Sequence, residues 1–373
     1  MNLREYQAKK IFAAGGIPIP FGRVAYNVEE VVSFASKIKR PIILKPQLGF
    51  KGRGKLGIIA CANTPNQAAK EAERLFNLTV KDECIERLLV EEKVDIAQEL
   101  YLAIAIDYSQ RCPVIMVSTR GGVDIEELAQ TDPQSLFKKT INILTGPTNE
   151  DFTHISHFSS PEIARIAEKL YLIFRKCDAE MVEINPLVKT RSGDFLAVDA
   201  VLNVNDDSLF RHPELIPFKQ EIGVSDPIAE EASANNWTYI ELPGDIAILS
   251  SGAGLTMTIL DLIHQAGGSA ANFLDTAQID GEGIYKAFQL LNKAKKVRAM
   301  LVNIFAGLNQ CDSLASGISQ YLADYPMDIP IVVRMIGNKE EIGHQILNEI
   351  GIKPHTNLEE AINQVVAISK EKD

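Results

Sequence analysis

The stretch Asp245-Ile246-Ala247-Ile248-Leu249-Ser250, followed at once by Ser251-Gly252-Ala253-Gly254-Leu255, decides the fold. An unbroken apolar run between polar ends reads as a strand covered on both faces, and the glycines after it read as a turn into a helix. Comparable strands stand at Ala299 to Ile304 and Pro330 to Arg334, each leading into an amphipathic stretch, with weaker units at Ala271 and Ile352. Strands that alternate with helices predict a doubly wound parallel sheet, an α/β architecture. Right-handed crossovers then place the loops that follow the strands at the carboxyl edge, where ligands bind.

Upstream, polar and irregular residues from about Asn203 to Asn236 separate this half from one that mixes helices and strands. Two domains are therefore expected, 1–236 and 237–373. Asn2 with Glu5 and Asn27 with Glu30 read as capping boxes of two helices, the first of which stops at Gly15 and Gly16. Pro41 to Lys45 reads as a buried strand that runs into a glycine-rich loop.

That loop, Lys45-Pro46-Gln47-Leu48-Gly49-Phe50-Lys51-Gly52-Arg53-Gly54-Lys55, combines three glycines with four cations. Glycines let backbone N–H groups approach phosphate closely, and cations neutralise it. Gly49 to Lys55 mimics a Walker A loop but fails it: Leu56 stands where a hydroxyl belongs, and Gly57 to Ala60 reads as a strand rather than a helix. A hairpin tip folded over a triphosphate fits the run, as does a glycine-rich turn on a solvated hairpin. Glu91 is read just after a strand, with Glu99 eight residues on, where carboxylates suit ribose hydroxyls or an adenine amino group, although acidic residues at strand ends are more often simply solvated.

Further along, Glu183-Ile184-Asn185-Pro186-Leu187 precedes a turn at Ser192 and Gly193 and a strand that ends at Asp199. A turn centred on Ser192 sets Asn185 opposite Asp199, and the two-residue period puts Glu183 on the same face. Two carboxylates and an amide there suit a hard cation such as Mg²⁺ better than zinc. An exposed polar hairpin face would carry the same pattern.

Composition narrows the classes. The chain has 373 residues, 46% of them hydrophobic, and a formal net charge of -11, so it offers no basic face for nucleic acid. Five cysteines, none in a CxxC pair, argue against a disulfide framework or a zinc site. No apolar run approaches the roughly 18 residues of a membrane span, and charges among the first ten positions fit no signal, so a cytoplasmic protein without a membrane partner is expected.

Taken in order, Met1 to Lys9, Lys45 to Lys55, Val90 to Leu102, Ser118 to Glu126, Glu183 to Leu187, Leu209 to Pro213, Gly252 to Leu255 and Val302 to Asp312 resemble the β subunit of succinyl-CoA synthetase (succinate–CoA ligase). The resemblance covers essentially the whole chain. It implies an ATP-grasp domain followed by a flavodoxin-like CoA-ligase domain. It also implies that Lys45, Gly52, Arg53, Gly54, Glu91, the Val94 backbone and Glu99 hold ATP or GTP, and that Asn185 and Asp199 hold Mg²⁺. Glu183 would be the catalytic residue, beside a phosphorylated histidine. Ser251 to Gly254 and Gly307, Leu308 and Asn309 would face a carboxylate substrate.

The histidine itself belongs to an α subunit of that family, in a Gly-His-Ala-Gly setting. None of His154, His157, His212, His264, His344 or His355 lies in one, so the resemblance implies an α partner that brings the phosphohistidine and the CoA site. Departures from the family pattern gather on the acid side: Ser251 for Asn, Thr276 to Asp280 for a run of glycines, Ala306 with Gly307 for two glycines, and Asn309 for an apolar residue. Ala200 and Val201 replace Gly-Lys, and Lys51 replaces a glycine. Succinate is the default acid, with malate or another dicarboxylate next. A stand-alone ATP-grasp carboxylate–amine ligase and a non-catalytic regulatory paralogue are the other classes. A dinucleotide fingerprint at Gly252-Ala253-Gly254 lacks its third glycine, which falls on Met257.

Overall fold

The computed structural model describes residues 1–49, 56–80, 83–222, 226–294 and 297–371, which form two compact units, Met1–Gly223 and Val224–Asp373. The division falls earlier than the expected 236/237, because helix Pro227–Ala234 contributes Ala232 to the second unit's core beside Trp237.

Among the described residues the first unit holds two larger antiparallel sheets and a small two-stranded one, Thr79–Val80 with Glu83–Cys84. Strands Gly22–Ala25, Leu88–Glu92, Ile42–Pro46 and Ala60–Ala62 lie in that order. Helices Val28–Ile38 and Pro65–Phe76 bury Val31, Phe34, Ala68, Ala72 and Leu75 against Leu44 and Val90. Asn27 caps the first of these as expected, its side chain accepting the Glu30 N–H at 2.9 Å. The hairpin that follows Lys45 is present, although its second strand begins at Ala60 rather than Gly57, which sits in a turn with φ +66°.

The second sheet runs Phe195–Ala197, Ala179–Thr190, Ile96–Asp107, Cys112–Ser118, Leu136–Thr140, with Val201–Val204 also paired to Ala179–Thr190. Helix Pro161–Lys176 packs Ile163, Ala167, Leu170 and Phe174 into its core. The opening helix spans Glu5–Ala14, and its cap is Arg4 rather than Asn2. The first residues are drawn into β-pairing instead: Asn2 bridges Asn203, and the Leu3 N–H donates to the Leu202 carbonyl at 3.0 Å. Helical geometry begins only beyond that pairing.

In the second unit the order is Thr238–Glu241, Asn272–Asp275, Ile246–Ser250, Ala299–Ala306, Ile331–Gly337. The last four are parallel and follow the doubly wound expectation. Ala247 and Leu249 face one core, with helices Gly281–Leu291, Cys311–Asp324 and Glu340–Glu349, while Ile246 and Ile248 face the other, with Ala253–Gln265 and Leu358–Glu371. This two-sided burial is why the strand reads as a continuous apolar run. Two details differ from expectation. The segment at Ile352 makes no strand, only a bridge from His355 to Arg334, and the fifth strand is Thr238–Glu241, which joins the opposite edge antiparallel to Asn272–Asp275.

Candidate active site

Lys45, in strand Ile42–Pro46, points its ammonium at Glu5 Oε1 (2.8 Å), Glu91 Oε2 (2.9 Å) and the Val198 carbonyl (2.6 Å). Lys9 reaches the same groups from helix Glu5–Ala14: both Glu91 oxygens at 2.6 and 2.7 Å, Glu5 Oε1 at 3.0 Å and the Val198 carbonyl at 2.6 Å. All four side chains are at most 8% exposed. Burial would lower the pKa of Lys45, but the charges of Glu5, Glu91 and Asp199 outweigh it and raise the value. For Lys9, burial, with the Lys45 charge adding to it, prevails over Glu5 and Glu91 and lowers the value. Glu91 sits within strand Leu88–Glu92 rather than after it, and both its oxygens lie on lysines.

Val94 lies in the connection between strand Leu88–Glu92 of the four-stranded sheet and strand Ile96–Asp107 of the six-stranded one. Glu99 stands on the exposed start of the latter. Gly52, Arg53 and Gly54 lie outside the described residues. The approach to them is held by Glu83, whose carboxylate accepts the Gly49 N–H at 2.9 Å and pairs with Arg4 at 3.3 Å.

The hairpin has the expected register, but its second strand ends at Ala197, short of Asp199. Leu187, Val188 and Lys189 pair with Ala197, Leu196 and Phe195, and the Val198 N–H donates to the Pro186 carbonyl at 3.2 Å. One step further along the same register sets Asn185 opposite Asp199. The Asn185 amide is oriented by a neighbouring loop: its Oδ1 accepts the Gly122 N–H at 2.8 Å, and its Nδ2 donates to the Val123 carbonyl at 3.1 Å. Asp199 Oδ1 accepts the Ala200 N–H at 2.8 Å. Glu183 pairs with Ala103 and Val201, and its charge, after burial, helps raise the pKa of the Tyr101 hydroxyl.

One amide oxygen and one carboxylate are oxygen donors of the kind a hard cation prefers, and such a cation takes its remaining ligands from water and phosphate. Among the described residues no group of three or more His, Cys, Asp or Glu side chains is arranged to hold a metal.

In the second unit, the order of strands reverses between Ile246–Ser250 and Ala299–Ala306, and the loops after both strands bear the expected acid-side residues. Ser251 and Gly252 lead into helix Ala253–Gln265. Gly252 has φ +98°, and its N–H donates to Asp275 Oδ1 at 2.7 Å, an oxygen shared with the Ala277 N–H at 2.8 Å. Gly307 and Leu308, the latter 79% exposed, lead towards helix Cys311–Asp324. Asn309 donates to the Ile279 carbonyl at 2.9 Å and so ties the two divergent segments together. Beside them opens a cavity of about 810 Å³ lined by Trp237, Thr276, Gln278, Asp280, Lys286 and Asn309.

Residues 2–189 match the family model of the ATP-grasp domain and residues 249–368 that of CoA-ligase. The succinate–CoA ligase [ADP-forming] subunit beta of Methanocaldococcus jannaschii is 38% identical, over 98% of this chain and 99% of its own length. The chain belongs to the succinate–CoA ligase β-subunit family. Members of that family are acid–thiol ligases, and the [GDP-forming] subunit beta of Thermus thermophilus, 35% identical over 99% of each chain, is another relative. The ATP-grasp and CoA-ligase order expected of the family is the order found here. A structure of ATP citrate lyase from Methanothrix soehngenii, in complex with citrate and coenzyme A, shares the fold at a TM-score of 0.67 and 18% identity, covering 99% of each chain. Among the described residues no helix is long and apolar enough to cross a membrane.

Sequence reasoning named Lys45, Glu183, Asn185 and Asp199. It missed Glu5 and Lys9, whose i,i+4 spacing on the face of Ala8 and Phe12 was the available signal. It also missed the Gly122–Val123 grip on Asn185, which no local pattern carries.

Proposed function

We propose that this chain is the nucleotide-binding β subunit of an ADP-forming acid–CoA ligase, working with an α partner that supplies the phosphorylated histidine and the CoA site. The observation that carries the reading is that Lys45 reaches the carbonyl of Val198, the residue before Asp199, so that an ammonium suited to phosphate stands beside the hairpin suited to a metal. ATP, or GTP, would place its phosphates at Lys45 and the Gly52-Arg53-Gly54 turn, with Glu91, the Val94 backbone and Glu99 serving the rest of the nucleotide. Mg²⁺ held by Asn185 and Asp199 would, when bound, neutralise phosphate charge. Glu183 would accept a hydrogen bond from one ring nitrogen of the incoming histidine, leaving the lone pair of the other for the γ-phosphorus.

The γ-phosphoryl group passes to that nitrogen and the nucleoside diphosphate leaves. The acid carboxylate then takes the phosphoryl group as an acyl phosphate, and the CoA thiol displaces inorganic phosphate to form the thioester; each step is reversible. Ser251, Gly307, Leu308 and Asn309 would meet a dicarboxylate. Succinate is the first choice. Malate or another dicarboxylate is second, favoured by Ser251, Asn309 and the Thr276 to Asp280 segment, which change the hydrogen-bonding groups at the acid loops.

The test is to purify the tagged chain with its bound partner and add Mg²⁺ and γ-labelled ATP. Acid-labile label on the second polypeptide, discharged by CoA plus one acid of a dicarboxylate panel, is the expected result. Glu183→Gln should lose the transfer and keep nucleotide binding. Tight nucleotide binding without any labelled partner would overturn the reading.

A further inference from the structure

Lys9 has no role in the reaction above, yet it meets the same three groups as Lys45. Its contacts span three elements: Glu5 on its own helix, Glu91 on the four-stranded sheet, and the Val198 carbonyl beside Asp199 on the hairpin. Among the described residues, these two ammonium groups and two carboxylates share a space nearly closed to water, where the Asp199 charge also acts on Lys45. An ammonium that is to meet phosphate must loosen its hold on these carboxylates. If Lys45 were their sole countercharge, its departure would leave Glu5 and Glu91 buried and unneutralised, which is strongly unfavourable. Lys9 already lies within 3.0 Å of both carboxylates and needs no movement to take over.

We propose that Lys9 is a positioning residue for nucleotide binding: it stays on Glu5, Glu91 and the Val198 carbonyl as the fixed countercharge, so that Lys45 can pass to the nucleotide phosphates while the bend that carries Val198 and Asp199 keeps its place. The inference rests on the phosphate-binding role given to Lys45 above. Lys9 touches no substrate; it acts through Lys45.

The test measures binding of the non-hydrolysable ATP analogue AMPPNP with Mg²⁺ to the full-length chain by calorimetry, for Lys9→Met, Lys9→Arg, Lys45→Met and the Lys9→Met/Lys45→Met double variant. Lys9→Met should weaken binding roughly tenfold or more, the scale of one charged hydrogen bond, and Lys9→Arg should recover most of it. In the Lys45→Met background, Lys9→Met should change nothing further. Where Lys9→Met does not fold, Lys9→Gln, which keeps a donor without the charge, should bind as weakly. Unchanged affinity in folded Lys9→Met or Lys9→Gln overturns the proposal, and so does an equal loss in both backgrounds, which marks a purely structural role. Unchanged affinity in Lys45→Met overturns the role of Lys45 itself and is read separately from Lys9.

Discussion

Gly121→Ala probes how the Asn185 amide, proposed above as a Mg²⁺ ligand, is held. A Cβ at position 121 would lie 2.1 Å from the Leu100 carbonyl oxygen, 2.4 Å from its carbon and 2.6 Å from its nitrogen, all of them backbone atoms. Strand Ile96–Asp107 is paired on both sides at this point, Leu100 with Leu187 and Tyr101 with Ser118, so the loop must move rather than the strand. Its movement breaks the bond from the Gly121 N–H to the Glu99 carbonyl and draws Gly122 and Val123 away from Asn185. The two bonds that orient the amide are worth about 1–3 kcal/mol together, so the apparent Mg²⁺ affinity should fall roughly 5- to 150-fold. The assay is a Mg²⁺ titration of AMPPNP binding at fixed nucleotide, with a thermal melt in parallel. A Gly121→Ala chain with both its Mg²⁺ dependence and its melting temperature unchanged would refute the argument that this loop sets the amide.

Asn309→Ala removes the bond to the Ile279 carbonyl and should raise KM for the acid or broaden acid choice while leaving AMPPNP affinity as it was; a change confined to nucleotide affinity would place Asn309 elsewhere in the cycle. The hydrogen bond from Arg211, with that from His212 adding to it against burial, holds the Asp178 carboxyl below its ordinary 3.8. A depressed carboxyl contributes stability that is present above about pH 4 and lost as pH falls through the folded-state value, because the unfolded chain binds the proton first. Asp178→Asn should therefore flatten the loss of stability below about pH 4, and an unaltered acid slope in denaturant titrations would count against the pairing. Leu102, fully buried in the core behind the hairpin, should cost about 2–5 kcal/mol of stability when cut to alanine, read as a lower denaturation midpoint; a near-neutral effect would mean that this core is not packed as described.

Much of this molecule follows from short-range patterns in the chain. The alternation of buried strand and amphipathic helix from Ile246 onward is legible because burial on two faces leaves an unbroken apolar run. The opposition of Asn185 and Asp199 is legible because a turn of known centre sets the register of its own hairpin. Thr238–Glu241 escaped notice because an edge strand needs little hydrophobic pattern and its partner, Asn272–Asp275, lies beyond the first parallel strand. The Ile352 segment has strand-like composition but makes only the His355 bridge, a matter of pairing partners rather than propensity. The site divides in the same way. Residue type and spacing were enough to put Glu183, Asn185 and Asp199 on one hairpin face and to single out the run from Lys45 to Lys55, while the part each would play came with the family resemblance. That Glu91 turns inward to two lysines, that Lys9 reaches a carboxylate 82 positions away, and that Gly122 grips Asn185 were decided only by the tertiary structure. Periodicity and turn chemistry act over a few residues and are written locally; pairing of buried charges depends on which distant strands fold together, since a buried carboxylate is stable only where some other element brings it a cation.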